Sequence, residues 1–372
     1  MAGGRPLRVL LAQTSFLGDV VLTTPLAQAI EEGLPGARTW WLVRPDAVPL
    51  VVPLAGRDRV LGFDKRGGAA GLAGLVRTAR RLRDCRFDAA IAVQRSLRTA
   101  LVLSLAGIPL RIGFAGAPGA FLYHRRIAPA GAHARDRLLS LVEGLGIEPP
   151  SPPLPPRLVV DPAAESEIAG RLAAAGIRPE ARLLVLAPGS AWATKRWPAA
   201  RFGALAGRLR GDCDAVAIVG SAADAELSAT VAGAIARDGE AGPASIDLCG
   251  RTDTAGLVAT VARAHLVVAN DSAAGHVAGA LGRPVVSLFG PTVPAFGFAP
   301  IGPRVAVVEH DLECRPCARH GGDACPIRTH ACMESIEVAE VAAAARDLLS
   351  VDGDLARGAS HATAGGAGAE RA

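Results

Sequence analysis

The sequence predicts an α/β protein of two Rossmann-like halves, each a doubly wound parallel sheet covered by helices. Three observations carry this expectation. Short apolar runs alternate with helix-length stretches along most of the chain, a proline-rich stretch divides that alternation in two, and residues 266–292, LVVANDSAAGHVAGALGRPVVSLFGPT, read as a complete strand, turn, helix and strand. With 372 residues, half of them apolar, the chain is long enough for two cores.

In the first half, 7–12 reads as the opening strand, followed by the loop TSFLGD and a helix whose start is marked by Thr24 and Pro25 and whose end is marked by Gly33. Further strands are predicted at 39–43, 60–63 and 89–93, with helices at 73–83, 97–105 and 133–145. The stretch PPSPPLPPR, 149–157, holds six prolines in nine residues, continues neither sheet nor helix, and reads as a stiff linker. Beyond it, strands are predicted at 183–186, 215–219 and 245–248, and helices at 198–209, from Ala223 and at 257–264, leading into the 266–292 unit. The predicted organisation is a domain at 1–150, a linker at 151–158, a second domain at 159–351 with a ligand cleft between the two, and a disordered Gly/Ala-rich tail at 352–372.

Composition narrows the partners. A net charge of +5 and a pI near 9.0 favour an acidic one: a phosphorylated substrate, an anionic membrane surface or nucleic acid. Aromatics at 4% and the lack of a concentrated Lys/Arg run make nucleic acid the weakest of these. No apolar run reaches membrane-spanning length and the N-terminus has too short an apolar core for a signal peptide, so the chain reads as cytoplasmic. Of the 40 basic residues only two are lysines, Lys65 and Lys195. A chain that otherwise uses Arg keeps Lys where a compact ammonium is needed, which singles out Lys195.

Several chemistries are excluded or weakened by missing motifs. No G-x-G-x-x-G follows a strand and no G-x-x-x-x-G-K-[ST], H-E-x-x-H or G-x-S-x-G occurs. The two D-x-D triplets, Asp212/Asp214 and Asp352/Asp354, fall where turn residues are expected, rather than at a cation site. Three strand-to-helix stretches remain, of the kind that faces a ligand cleft: TSFLGD at 14–19, APGSAWATKRWP at 187–198, and the NDSAAGH turn at 270–276. In the last, Asn270, Asp271 and Ser272 are helix-capping residue types. The small residues after them open a helix whose first N–H groups and positive end suit a phosphate.

In order along the chain, SFLGDVVLTTPL, QRSLRTALVLSLAGIPLRIGF, APGSAWATKRWP, CGRT, the 266–292 unit and CRPCARHGGDACPIRTHAC together resemble the ADP-heptose:lipopolysaccharide heptosyltransferases. These are inverting sugar transferases of the two-Rossmann GT-B class. ATKRWP, QRSLR and the cysteine-rich end look most like heptosyltransferase II, which adds the second inner-core heptose. The resemblance implies an ADP-heptose donor, a lipid-linked Kdo/heptose acceptor reached by peripheral contact with the inner membrane surface, and no metal or other cofactor in the transfer.

An inverting transfer needs a base for the attacking hydroxyl, and Asp19, after the flexible Gly18, matches the family's proposed base. Charge builds on the departing diphosphate, and Lys195 with Thr194 would supply an ammonium and a hydroxyl to it. Asp271, Ser272, Ala273 and His276 are expected at the nucleotide and Thr252 near the adenine. Ala273 stands where other members carry glycine. Arg95, Ser96 and Arg98, after the 89–93 strand, could hold a phosphate or Kdo carboxylate on the acceptor, a solvated helix start being the alternative. Cys314, Cys317, Cys325 and Cys332, with a C-x-x-C among them, could hold a structural zinc that steadies a loop, or could form a buried thiol or redox cluster. Competing readings are heptosyltransferase I or a GT-B transferase of another sugar, a sugar-nucleotide epimerase of similar fold, and a non-catalytic nucleotide-binding protein.

Overall fold

The computed structural model describes residues 5–65, 67, 71–237 and 243–350, so the tail at 352–372 lies outside it. Two six-stranded sheets are present, and every strand pairing is parallel. The first contains β1 Arg8–Gln13, β2 Arg38–Val43, β3 Val60–Gly62, β4 Ala89–Ala92, β5 Leu110–Phe114 and β6 Arg125–Ile127, in the order β3-β2-β1-β4-β5-β6. The second contains β7 Leu183–Ala187, β8 Ala215–Ile218, β9 Ala244–Asp247, β10 Ala264–Asn270, β11 Val285–Phe289 and β12 Val305–Glu309, in the order β12-β11-β10-β7-β8-β9. Both repeat one doubly wound order. Each reverses between neighbouring strands, β1/β4 and β7/β10, and such a reversal opens a crevice at the strands' carboxyl ends.

The helices are α1 Leu17–Gly33, α2 Val48–Ala55, α3 Gly71–Asp84, α4 Leu97–Leu105, α5 Ala134–Leu139, α6 Pro162–Ala174, α7 Ala199–Arg208, α8 Ala225–Ala236, α9 Thr254–Ala262, α10 Ala273–Ala280 and α11 Ala331–Glu334. Residues 338–350 are also helical. The chain divides into two compact units: Met1–Ile168 with Thr252–Ala262 and Val293–Gly302, and Ala169–Arg251 with Arg263–Thr292 and Pro303–Ala372. The sequence had placed the division at the 151–158 linker, whereas the first unit also takes in α9 and 293–302, which come from the second half of the chain.

The central strands are apolar because both faces are covered. Every residue of β7 and β11 is buried, as the continuous runs LLVLA and VVSLF require. The sequence left β5, β6 and β12 unassigned. β6, RRI, is a short edge strand with almost no apolar signal, and β5 carries Arg111 and a glycine on which the Tyr123 ring packs; β12, VAVVE, is a half-buried edge strand whose apolar run was legible but passed over.

The start of α1 departs from expectation. The helix begins at Leu17, and Thr24 and Pro25 lie inside it. A proline there cannot donate to the carbonyl four residues back, Val21 O, and normally breaks a helix. Here the Thr24 hydroxyl donates to that carbonyl at 2.8 Å, and its oxygen accepts from Arg157 N–H at 3.0 Å. The helix therefore runs through, and Asp19 rides on its first turn, not in a loop. Thr24→Val keeps the shape and removes both bonds at a fully buried position. It should cost about 1–3 kcal/mol, read as a lowered urea midpoint for the transition that follows the first unit.

Candidate active site

The second unit gathers three loops at the carboxyl ends of β7, β10 and β11. Asn270, wholly buried, ends β10; its side-chain amide donates to Pro188 O at 2.8 Å and its side-chain oxygen accepts from Trp197 N–H at 3.0 Å. One amide thereby pins both ends of the loop that carries Thr194 and Lys195. Ser190 Oγ donates to Asp271 O at 3.4 Å, and Arg196 reaches back to Ser190 O.

Within that frame Lys195 Nζ lies 2.5 Å from Asp271 Oδ2, both side chains largely buried, and Thr292 Oγ1 donates to the same oxygen at 2.8 Å. Neither Asn270 nor Asp271 caps α10. Ser272 occupies the cap position, with extended backbone, and makes no side-chain cap bond. The first-turn N–H groups of Ala273, Ala274 and Gly275 follow it, and buried His276 closes that turn. A buried ammonium thus stands in one small region with the positive end of a helix, the combination an anion needs. Ala273 sits at the first helical position, where its methyl leaves the N–H in place.

Thr194 is present but differently engaged. Its hydroxyl donates to Gly322 O at 2.9 Å and accepts from Gly322 N–H at 2.8 Å, while its own N–H also reaches Gly322 O. A hydroxyl has one proton, and here that proton goes to Gly322 O, so in this structure Thr194 anchors the loop.

The anchor belongs to the cysteine-bearing segment. His330 Nε2 lies 2.7 Å from Thr194 O, Cys317 N–H donates to Pro291 O, and Arg315 reaches Gly290 O and Thr292 O. At Gly321, with φ of +94°, a Cβ would come within 3.2 Å of Lys195 Cε, so only glycine lets this segment close over the lysine stem. The segment braces both the Lys195 loop and the Thr292 loop through these backbone contacts.

The sequence left a structural metal, a thiol cluster or a redox pair open for the four cysteines. Among the described residues no group of three or more His, Cys, Asp or Glu side chains is placed to hold a metal ion. Cys332, the second residue of α11, turns into the core beside Gly290 and Met333, whereas Cys317 is exposed. Burial pushes the Cys332 thiol up to about 11, while backbone N–H groups, that of His330 foremost, lower the Cys325 thiol.

In the first unit, Asp19 is half-buried on the first turn of α1, where the helix's positive end favours an acid. Its backbone carbonyl accepts from Thr23 Oγ1 at 2.7 Å, and Thr23 in turn accepts from Gln13 Nε2 at 3.1 Å. Next in the chain, Thr14 Oγ1 donates to Gln94 Oε1 at 2.5 Å, which ties the ends of β1 and β4 together. The same oxygen accepts from Lys65 Nζ at 3.1 Å. Burial first, then the guanidinium groups of Arg98 and Arg44, push the Lys65 ammonium down to about 8. Lys65, Arg44 and Gln94 were missed, although the scarcity of lysine that marks Lys195 marks Lys65 equally.

Of the predicted acceptor residues, Ser96 caps α4, its side chain accepting from Thr99 N–H at 3.3 Å. Arg98 Nη2 donates to Gly71 O at 3.0 Å and Arg95 donates to Gly116 O. Thr252 is half-buried ahead of α9 and groups with the first unit, apart from the Lys195 cluster of the second. Asp214 and Asp212 are taken by Arg182 and Arg346 on the surface, as turn residues would be.

Comparison with known proteins identifies the family. The family model described as glycosyltransferase family 9 (heptosyltransferase) matches residues 75–325. The chain is 32% identical over 332 residues to lipopolysaccharide heptosyltransferase 1 of Pseudomonas aeruginosa, covering 84% of this chain and 86% of that protein. It is 27% identical over 299 residues to lipopolysaccharide heptosyltransferase 2 of Escherichia coli K12, covering 78% and 84%. The crystal structure of E. coli ADP-heptose heptosyltransferase II superposes with a TM-score of 0.76 at 23% identity, over 93% of this chain and 99% of that one, which establishes the two-Rossmann GT-B fold. This chain belongs to glycosyltransferase family 9, the heptosyltransferases, and is a glycosyltransferase.

Proposed function

We propose that this enzyme transfers heptose, with inversion, from ADP-heptose to a heptose of the lipopolysaccharide inner core. The observation that carries the reading is the buried Lys195 ammonium beside the N-terminus of α10, whose cap residue makes no side-chain bond to it. As the glycosidic bond breaks, negative charge accumulates on the diphosphate, and a fixed ammonium together with backbone N–H groups lowers the barrier without an ion cofactor. Asp271 holds Lys195 until the donor arrives, and the diphosphate then takes its place as the lysine's partner. Asp19 takes the proton from the acceptor hydroxyl as it attacks. Lys65 with neighbouring Arg98, together with Arg95 just before α4, receives a phosphate or carboxylate of the acceptor, since guanidinium forks match both.

A second reading, transfer of the first heptose as in heptosyltransferase I, is favoured by the 32% identity to the Pseudomonas protein. A donor panel of ADP-heptose, UDP- and GDP-sugars, offered with Kdo-lipid A carrying zero or one heptose, separates the two. The proposal expects product only from ADP-heptose and only on the heptose-bearing acceptor. Product on the heptose-free acceptor supports the second reading, and conversion of donor with no acceptor present overturns both in favour of an epimerase.

The two proposed catalytic groups should fail differently. Asp19→Asn should lower kcat by about 10²- to 10⁴-fold and leave ADP affinity, measured by calorimetry, nearly unchanged. Lys195→Met should lower kcat by about 10²- to 10³-fold and weaken ADP as well. Lys65 brings a pH dependence. Its ammonium loses its proton near pH 8, so acceptor KM should rise as pH passes about 8, and Lys65→Arg should flatten that rise. Folding lowers this pKa from 10.5 to about 8, so in that window the unfolded chain binds more protons. The wild type should therefore gain melting temperature relative to Lys65→Met as pH climbs from about 8 towards 10.5.

A further inference from the structure

Charge is unevenly distributed along this chain. Residues 65–135 hold thirteen Lys and Arg against two Asp and no Glu, whereas the whole chain has a net charge of +5, so the remainder is net acidic. All of that stretch belongs to the first unit. Helix α3 buries Gly74, Leu75, Ala79 and Leu82 and turns Arg77, Arg80, Arg81 and Arg83 to solvent. α3 and α4 lie side by side and parallel: Arg98 donates to Gly71 O at their starts and Arg83 donates to Leu105 O at their ends, at 2.6 Å. The turn leading into the 3-10 segment Ala120–Leu122 packs its Gly119 against Ala100 and Leu97 of α4.

These same three segments carry exposed apolar side chains. Among the described residues eight large apolar side chains are exposed, and four of them, Leu72, Leu97, Leu105 and Phe121, belong here. Leu72 is 77% and Phe121 68% exposed, values with no packing purpose inside the unit. Exposed apolar groups set among arginines satisfy the two demands of an anionic bilayer at once: side chains to enter the headgroup layer and cations to sit on its phosphates.

We propose that the face made by α3, α4 and the 120–122 turn docks this enzyme on a membrane surface rich in anionic lipid. It deepens the reading of a lipid-borne acceptor, and so rests on it. Arg98 both flanks Leu97 and belongs to the cluster assigned to the acceptor's anion, so an acceptor held in the bilayer meets its site at the edge of the docked face. No described helix is long and apolar enough to cross a membrane, and adsorption through one face needs none.

The test is co-sedimentation of the full chain with phosphatidylcholine vesicles, with and without phosphatidylglycerol, and needs neither donor nor acceptor. The wild type should bind the anionic vesicles at least about tenfold better than the neutral ones and be released by salt. Leu72→Ser/Phe121→Ser and, separately, Arg80→Glu/Arg81→Glu should each reduce that binding by about tenfold, with unchanged melting temperatures because all four residues are exposed. Both double variants should keep wild-type turnover on a deacylated, water-soluble acceptor and lose turnover on the same acceptor held in vesicles. Equal wild-type binding to both vesicle types, absence of binding, or variants that bind like the wild type would each overturn the docking face. None of those outcomes touches the transferase reading, which the soluble acceptor tests alone.

Discussion

The second unit's site depends on one buried ion pair. Lys195 and Asp271 come from loops after different strands, β7 and β10, and each would be costly to bury alone; placed 2.5 Å apart they compensate one another. Their meeting is arranged by Asn270, one residue before Asp271, whose amide fixes the Lys195 loop at Pro188 and at Trp197. Strand order thus becomes chemistry: β7 and β10 are neighbours at the reversal of the sheet, and that adjacency brings an ammonium to the start of α10.

The first sheet repeats the device with other side chains. At its own reversal, Thr14 after β1 and Gln94 after β4 join across the gap, and Lys65 adds a cation to the same acceptor oxygen. Two amide side chains, Gln94 and Asn270, therefore do equivalent work in the two units: each ties loops at a switch point and leaves a lysine beside it. Burial first, and then the neighbouring Arg98 and Arg44, make the first of these sites uphill for its ammonium, which is why the Lys65 pKa falls so far.

What was legible in the sequence follows period and burial. Interior strands such as β1, β7 and β11 are mainly apolar runs and could be read directly, whereas the short edge strand β6, RRI, is polar and gives no such signal. Pro25 misled because the rule against proline in helices assumes an orphaned carbonyl, and Thr24 supplies the missing donor. Lys195, Asp271 and His276 were found from motif order, but their bonding was not. Asp271 was read as a helix cap from its residue type, and nothing local announces that its partner lies 76 residues earlier. The roles of Gly322 and His330 were hidden for the same reason: Gly322 bonds Thr194 through its own backbone and the His330 ring meets the Thr194 backbone carbonyl, and such contacts across more than a hundred residues leave no trace in residue type. The cysteines show the opposite case: their spacing stood out, whereas the burial that separates core-facing Cys332 from exposed Cys317 is set by α11 and is not written in the spacing.

On the proposed reading, in which Lys195 takes the donor's diphosphate as its partner, the Lys195–Asp271 contact has a consequence for the end of the catalytic cycle. A polyanion gripped by an otherwise lone buried ammonium would leave behind an unpaired charge, and departure would be slow. Here a resident carboxylate waits within reach and can reclaim the ammonium as soon as the spent nucleotide loosens. The enzyme thereby trades some grip on its nucleotide for an exit that leaves no bare charge in the protein.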